Sequence, residues 1–415
     1  MRTSRLRARL TAAVTAILLV GAGCTTSSGT STTGPSTTAP STDSASSADA
    51  SSGGGASLDR LTPIVRDLLD DMSVPGAVVL VDTGEQRYLE AFGTRSLDGG
   101  APVETGDHFR IGSITKTMTG TALLQLVAEG QVALDDPVAD YLPDVPGGDR
   151  ITITDLLDMR SGLDSYTTEV SFNRVLDEDP TRVWEPRELA ALGTALPPVG
   201  DPGTTFLYSN TNTVLAGLIV EEVSGTDLGT RLRETLFDPL DLAGTRFPAI
   251  TDNSLTDPHP QGYLYGTNVS TIESAALPEP ELAQARAGTL LPNDVTDMNP
   301  SWGWAAGAGI STAQDLARWV EALVGGGLLP DELQRTRIDS VVPIDPDNPD
   351  SASYGLALAR FGPMLGHDGS LPGFQSFLGH DLQTGTTLVV LTTLQFAPDG
   401  RAPANEVARL IMASL

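Results

Sequence analysis

Lysine is all but missing from this 415-residue chain: of its 25 basic residues only Lys116 is not an arginine. Cysteine is as scarce. Cys24 stands alone, so no internal disulfide can form and a cysteine-built metal centre is excluded. His108, His259 and His380 have no Cys, His or carboxylate partners at ligand spacing, so no metal is expected. Positive charge is short overall. The 25 bases face 53 acids, for a net charge of -28, and no basic stretch occurs beyond the first ten residues, which argues against a nucleic-acid partner. The apolar run at residues 10–20 falls short of the roughly 20 residues a spanning helix needs, so a retained transmembrane segment is disfavoured. What remains is ample for a core: 40% of the chain is hydrophobic, enough for one large domain or two modest ones.

The N-terminus opens with Arg2, Arg5, Arg7 and Arg9, continues through that apolar run and ends in Gly21, Ala22 and Gly23 before Cys24. Residues 1–23 therefore read as a secretory signal. The placement of Cys24 resembles the lipobox of bacterial lipoproteins, although Gly21 stands where that box has an aliphatic residue. The resemblance implies lipidation of Cys24 and a membrane anchor at the outer face of the cell membrane; cleavage without lipidation would give a secreted protein. Residues 24–57 are Ser, Thr, Gly, Ala and Pro with almost nothing large and apolar, a composition that forms a flexible tether.

Structured sequence begins at Leu58. Leu61, Ile64, Val65, Leu68 and Leu69 recur at helical spacing, and residues 76–82 (GAVVLVD) and 86–92 (QRYLEAF) flank a turn as a strand hairpin. Further strands are expected at 354–358, 373–378 and 386–392, and a last helix at 402–415. Between these ends, at about 120–325, helical periodicity dominates, as at 121–129, 212–223 and 313–323. The expected domain, 58–415, is thus α/β (α+β): a sheet built from both chain ends, flanked by helices, with a mostly helical insertion. No internal repeat is visible. The acidic loop at 345–350 (DPDNPD) lacks the pattern of a calcium loop and reads as a solvated turn.

The candidate chemistry starts at Lys116. Arginine cannot release its proton, whereas a lysine in apolar surroundings can approach neutrality and act as a base. Ser113 stands three residues earlier, at the start of an apolar helix, and positions i and i+3 share a helix face. Ser113 would then sit in the first turn, where free backbone N–H groups and the positive end of the helix dipole favour a developing alkoxide. A base beside a weak hydroxyl is the arrangement of an activated nucleophile. The competing reading makes Ser113 an ordinary N-cap.

Two further triplets lie downstream, Tyr208-Ser209-Asn210 and His367-Asp368-Gly369. With residues 109–116 (FRIGSITK), 159–163 (MRSGL), 208–212 (YSNTN) and 307–316 (GAGISTAQDL), the chain resembles the penicillin-recognising serine hydrolases, the branch of class C β-lactamases and D-alanyl-D-alanine carboxypeptidases, over about residues 58–415. The resemblance implies an antiparallel β-lactamase/transpeptidase-like sheet, no cofactor, and acylation of Ser113. Lys116 and Tyr208 would then be the proton-transfer groups, with the identity of the base left open. It further implies that Asn210 bonds the substrate amide, that His367 and Gly369 lie on the strand lining the cleft, and that the N–H groups of Ser113 and Ser370 form an oxyanion hole. Asp368 stands where the carboxypeptidases have a hydroxyl residue that helps to bind the peptide carboxylate; Arg360 or the Ser370 hydroxyl is the expected substitute. Trp302 has two readings, cleft wall and core packing. Substrates consistent with these residues are a peptidoglycan stem peptide, a β-lactam or an ester. The activities to be weighed are carboxypeptidase or β-lactamase, esterase on the same fold, and a non-catalytic envelope-binding lipoprotein.

Overall fold

The computed structural model describes residues 58–348 and 352–415. Cys24, the leader and the tether lie outside the described residues. The N-terminal helix α1 (Leu61–Asp71) buries Leu61, Val65 and Leu69, one residue per turn, as the periodicity requires. A hairpin follows, β1 (Gly76–Asp82) and β2 (Arg87–Gly93). The chain then leaves the sheet through helix α2 (Thr115–Ala128), helix α3 (Asn210–Ser224), helix α4 (Ala313–Gly325) and helix α5 (Asp331–Asp339). It returns as β3 (Val342–Pro343), β4 (Ser353–Gly355), β5 (Leu358–Phe361), β6 (Met364–Leu371), β7 (Phe374–His380) and β8 (Thr387–Thr392), and closes with α6 (Pro403–Met412).

The eight strands form one antiparallel sheet in the order β2-β1-β8-β7-β6-β5-β4-β3. Both chain ends meet next to the β2 edge, where Ala77 of β1 pairs with Thr392 of β8 and Asp82 with Thr387. Alternate side chains leave opposite faces. Val79, Val81, Leu388 and Val390 pack under α1 and α6, while Val78, Leu80, Val389 and Leu391 join the larger core that contains α2, α3 and α4. Covered on both sides, these strands read as unbroken apolar runs.

Helices α2 and α3 pack on one another and are buried around most of their circumference, which is why neither shows a clean amphipathic stripe. One strand assignment differs from the sequence reading. Residues 354–358 are not one strand: Ala357 adopts a left-handed φ of 50° and turns the chain between β4 and β5. Strand β6 does carry His367 and Gly369 as the resemblance implied, although its own pattern is too poor in β-formers to mark it as a strand.

Candidate active site

The turn before α2 is fixed from three directions. Ile111 N donates to Gly309 O at 3.0 Å, Ser376 Oγ donates to Ile111 O at 2.8 Å, and Thr115 Oγ1 donates to Gly112 O at 2.7 Å. Gly112 takes a φ of +53°, a conformation that disfavours any side chain, and a Cβ there would come within 2.9 Å of Ser370 N. The result is a short 3₁₀ turn, Gly112–Ile114, that presents Ser113 at the N-terminus of α2.

Lys116 lies one turn further on and is completely buried. Its Nζ donates to Ser113 Oγ at 2.9 Å and to Ala306 O at 2.7 Å, and sits 4.9 Å from the centre of the Tyr208 ring. Among the described residues no carboxylate forms an ion pair with it. Burial pushes the ammonium down to about 7, opposed by the charge of Asp368. A lysine so placed exchanges its proton near neutral pH.

Tyr208 is delivered by the segment entering α3, where Leu207 N donates to Met159 O at 2.9 Å and Thr211 Oγ1 to Asp164 O at 2.7 Å. Its hydroxyl is buried, with Ser113 the hydrogen-bonding neighbour that acts on it. Burial holds its ionisation well above the ordinary phenol range, with Tyr354 and Asp368 pushing the same way and Ser113 against. Tyr208 is therefore a protonated phenol at rest. Asn210 begins α3; its Nδ2 donates to Thr167 Oγ1 at 2.9 Å and its backbone N to Ser165 Oγ at 3.1 Å, so two side-chain hydroxyls hold it.

The third wall is β6. A Cβ on Gly369 would come within 3.0 Å of Ser113 N and one on Gly112 within 2.9 Å of Ser370 N, so strand and turn approach too closely here for any side chain. His367 Nδ1 donates to Asp368 O at 2.5 Å, which leaves Nε2 to accept from the Tyr354 hydroxyl at 3.1 Å. Burial, reinforced by Lys116, lowers His367 to about 3, so its imidazole is neutral. Asp368 leaves the opposite face of the strand, toward α6, where its Oδ2 accepts from Asn405 Nδ2 at 2.8 Å. Its other oxygen, Oδ1, stays 3.6 Å from His367 Nδ1.

Not every anticipated residue arrives. Arg360 pairs with Leu365, five residues along β6 from Ser370, a separation of about 16 Å at the rise of a strand. It cannot stand beside Ser113, and its buried Nε has no partner. Trp302 packs half-buried against the main core, and its carbonyl accepts from Tyr166 Oη at 2.7 Å. The Ser370 hydroxyl is within 3.4 Å of Gln395 Nε2. Three contributors escaped the sequence reading. Ala306 acts through its carbonyl, Asn405 holds Asp368 from the last helix, and Tyr354 fixes the His367 tautomer. None carries a local signal, since each meets its partner only through the tertiary fold.

A serine hydroxyl, a buried lysine brought to about 7 and a protonated phenol, with the backbone of strand β6 packed against the serine turn, form a centre suited to acyl transfer by a serine hydrolase of the β-lactamase fold. The sequence model of the Beta-lactamase family matches residues 61–413, and the chain belongs to that family. Among solved structures, a D-stereospecific amidohydrolase from Streptomyces sp. is 31% identical, superposes with a TM-score of 0.73, and is aligned over 86% of this chain and 99% of its own. Among curated proteins, Esterase EstB of Burkholderia gladioli is 29% identical over 66% of this chain and 72% of its own length. Penicillin-binding protein 4 of Amycolatopsis lactamdurans is 27% identical over 77% and 81% respectively.

Proposed function

We propose that the protein is an exported hydrolase that cleaves amides of the D-alanyl-D-alanine or β-lactam kind through an acyl-enzyme on Ser113. The observation that carries this reading is the 2.9 Å hydrogen bond between Lys116 Nζ and Ser113 Oγ in a site that excludes water from the lysine. Neutral Lys116 takes the Ser113 proton as Oγ attacks the carbonyl carbon. The N–H groups of Ser113 and Ser370 hold the oxyanion, and the proton passes by way of the Tyr208 hydroxyl to the departing nitrogen or oxygen. Water then cleaves the Ser113 ester by the same steps in reverse. Relatives named for amide, ester and penicillin chemistry support an acyl-transfer reading of this site.

Ester hydrolysis is the second reading, favoured by the distance of Arg360, which leaves a peptide's terminal carboxylate without that cation. The intact Ser113, Lys116 and Tyr208 set argues against a non-catalytic binding role. Exposure of the purified protein to a labelled penicillin, a D-Ala-D-Ala peptide and a p-nitrophenyl ester, followed by peptide mass analysis, should place an acyl adduct on Ser113 with at least one of them. No adduct and no turnover with all three would overturn the proposal.

Export and lipidation rest on the N-terminal residues alone. Cells fed a labelled fatty acid should incorporate it into the wild-type protein and not into Cys24→Ala. Equal labelling of the two would refute the anchor.

A further inference from the structure

Residues 159–163 (MRSGL) form a motif whose side chains the chemistry above does not use. Met159 adopts a φ of +63°, a left-handed conformation that a side chain resists and glycine takes freely. It is buried in a small cluster with Tyr208, Tyr354 and Ala359, and its carbonyl accepts from Leu207 N, the residue before Tyr208. Two residues on, Ser161 Oγ accepts from Leu163 N at 3.0 Å and donates to Asn212 Oδ1 at 2.6 Å. Ser161 and Asn212 are 3% and 0% exposed, so water does not compete for that bond. It fixes the orientation of the Asn212 amide, whose Nδ2 donates to Met159 Sδ at 3.7 Å. The contacts close on themselves: Ser161 holds Asn212, Asn212 holds Met159, and Met159 holds the backbone that carries Tyr208. On the far side of Tyr208, Ser209 Oγ donates to Asp164 O at 3.1 Å. Apart from Ser113, the Tyr208 hydroxyl has no bonding partner among the described residues, so its aim comes from these backbone anchors.

We propose that Ser161 and Asn212 are positioning residues that act through Met159 to aim the Tyr208 hydroxyl at the departing group. The inference rests on the proton path through Tyr208 given above. Without the Ser161 bond the Asn212 amide is free to turn from Met159, and Met159 can leave its left-handed conformation. Its carbonyl turns with it, and the anchor on Leu207 N is lost. The bond between Lys116 and Ser113 belongs to another element and stays as it is. The loss therefore falls on protonation of the leaving group and not on attack by Ser113. A leaving group that departs as a stable anion needs no such proton, whereas an alkoxide does.

The test compares kcat/KM for p-nitrophenyl butyrate, whose phenolate leaves unaided, with that for ethyl butyrate, whose ethoxide must be protonated. The proteins are wild type, Ser161→Ala, Tyr208→Phe and the double variant. A catalytic group misplaced by about 1 Å forfeits on the order of 10²-fold, so Ser161→Ala should lower the ethyl ester rate by about 10–100-fold. The p-nitrophenyl ester rate should stay within about threefold of wild type. In the Tyr208→Phe background the same substitution should leave the ratio of the two rates unmoved, because the hydroxyl it aims is gone. Thermal melts report folding, and if Ser161→Ala fails to fold, Asn212→Ala takes its place in the cycle. An equal loss with both esters, or the same shift in ratio with and without the Tyr208 hydroxyl, would show a structural role alone and overturn the proposal. A Tyr208→Phe variant that keeps the wild-type ratio would instead overturn the proton path through Tyr208, and this inference with it.

Discussion

Lys116→Arg should lower acylation of Ser113 by about 10²–10⁴-fold, the range a lost general base commands, while preserving the formal charge of the protein. The reason lies in the proton. Lys116 bonds Ser113 Oγ and Ala306 O in a slot with no access to solvent, where burial brings it to about 7 and a neutral amine is available. A guanidinium stays charged under any condition the fold survives, so it donates to Ser113 and cannot accept from it. Stopped-flow acylation by a chromogenic ester measures the effect, and a variant within about tenfold of wild type would show that Lys116 is not the base. Stability provides a second readout. Between about 7 and the ordinary value of 10.5 the unfolded chain holds a proton that the folded chain has released, so stability should rise with pH in that window. Lys116→Met fills much the same volume and should flatten that rise in denaturant titrations while remaining inactive. Loss of activity with no loss of stability would separate the catalytic role from a packing role.

The same residue shows how far the sequence could be read. Ser113 and Lys116 were legible together because three residues on a helix is a local distance, and the fold adds only a 3₁₀ turn that seats the serine at the helix entrance. The strands that join the two chain ends were legible because β1 and β8 are runs of Val and Leu covered on both faces. Tyr208 was legible only through the order of motifs along the chain, since nothing local links it to Lys116. Strand β6 was hidden by Gly366, Asp368, Gly369 and Ser370, poor strand formers that are paired only because β5 and β7 flank them. Arg360 was misplaced for a related reason. It was offered through the resemblance, and the turn at Ala357 that sets the register of β5 against β6, pairing Arg360 with Leu365, has no signal in the sequence.

The glycines that hid β6 are also what the site requires, and Gly369→Ala should therefore be among the most damaging small changes in the chain. A methyl group there would overlap the Ile111 carbonyl and the Ser376 hydroxyl, and come within 3.0 Å of Ser113 N. Two consequences follow from one clash. The 2.8 Å bond from Ser376 Oγ to Ile111 O, which fixes the turn, would have to lengthen, and the strand would have to retreat from Ser113. Retreat separates the N–H groups of Ser113 and Ser370, and donors that miss the oxyanion position forfeit about 10²–10³ in rate. Overpacking of this kind adds a loss of about 1–3 kcal/mol in stability. Gly325→Ala, at the end of α4, is the control, because a Cβ there meets open space and the fold has nothing to move. Acylation kinetics and melting curves on the two variants should diverge, with Gly325→Ala near wild type in both. A Gly369→Ala protein that acylates at the wild-type rate would mean that β6 does not supply an oxyanion donor.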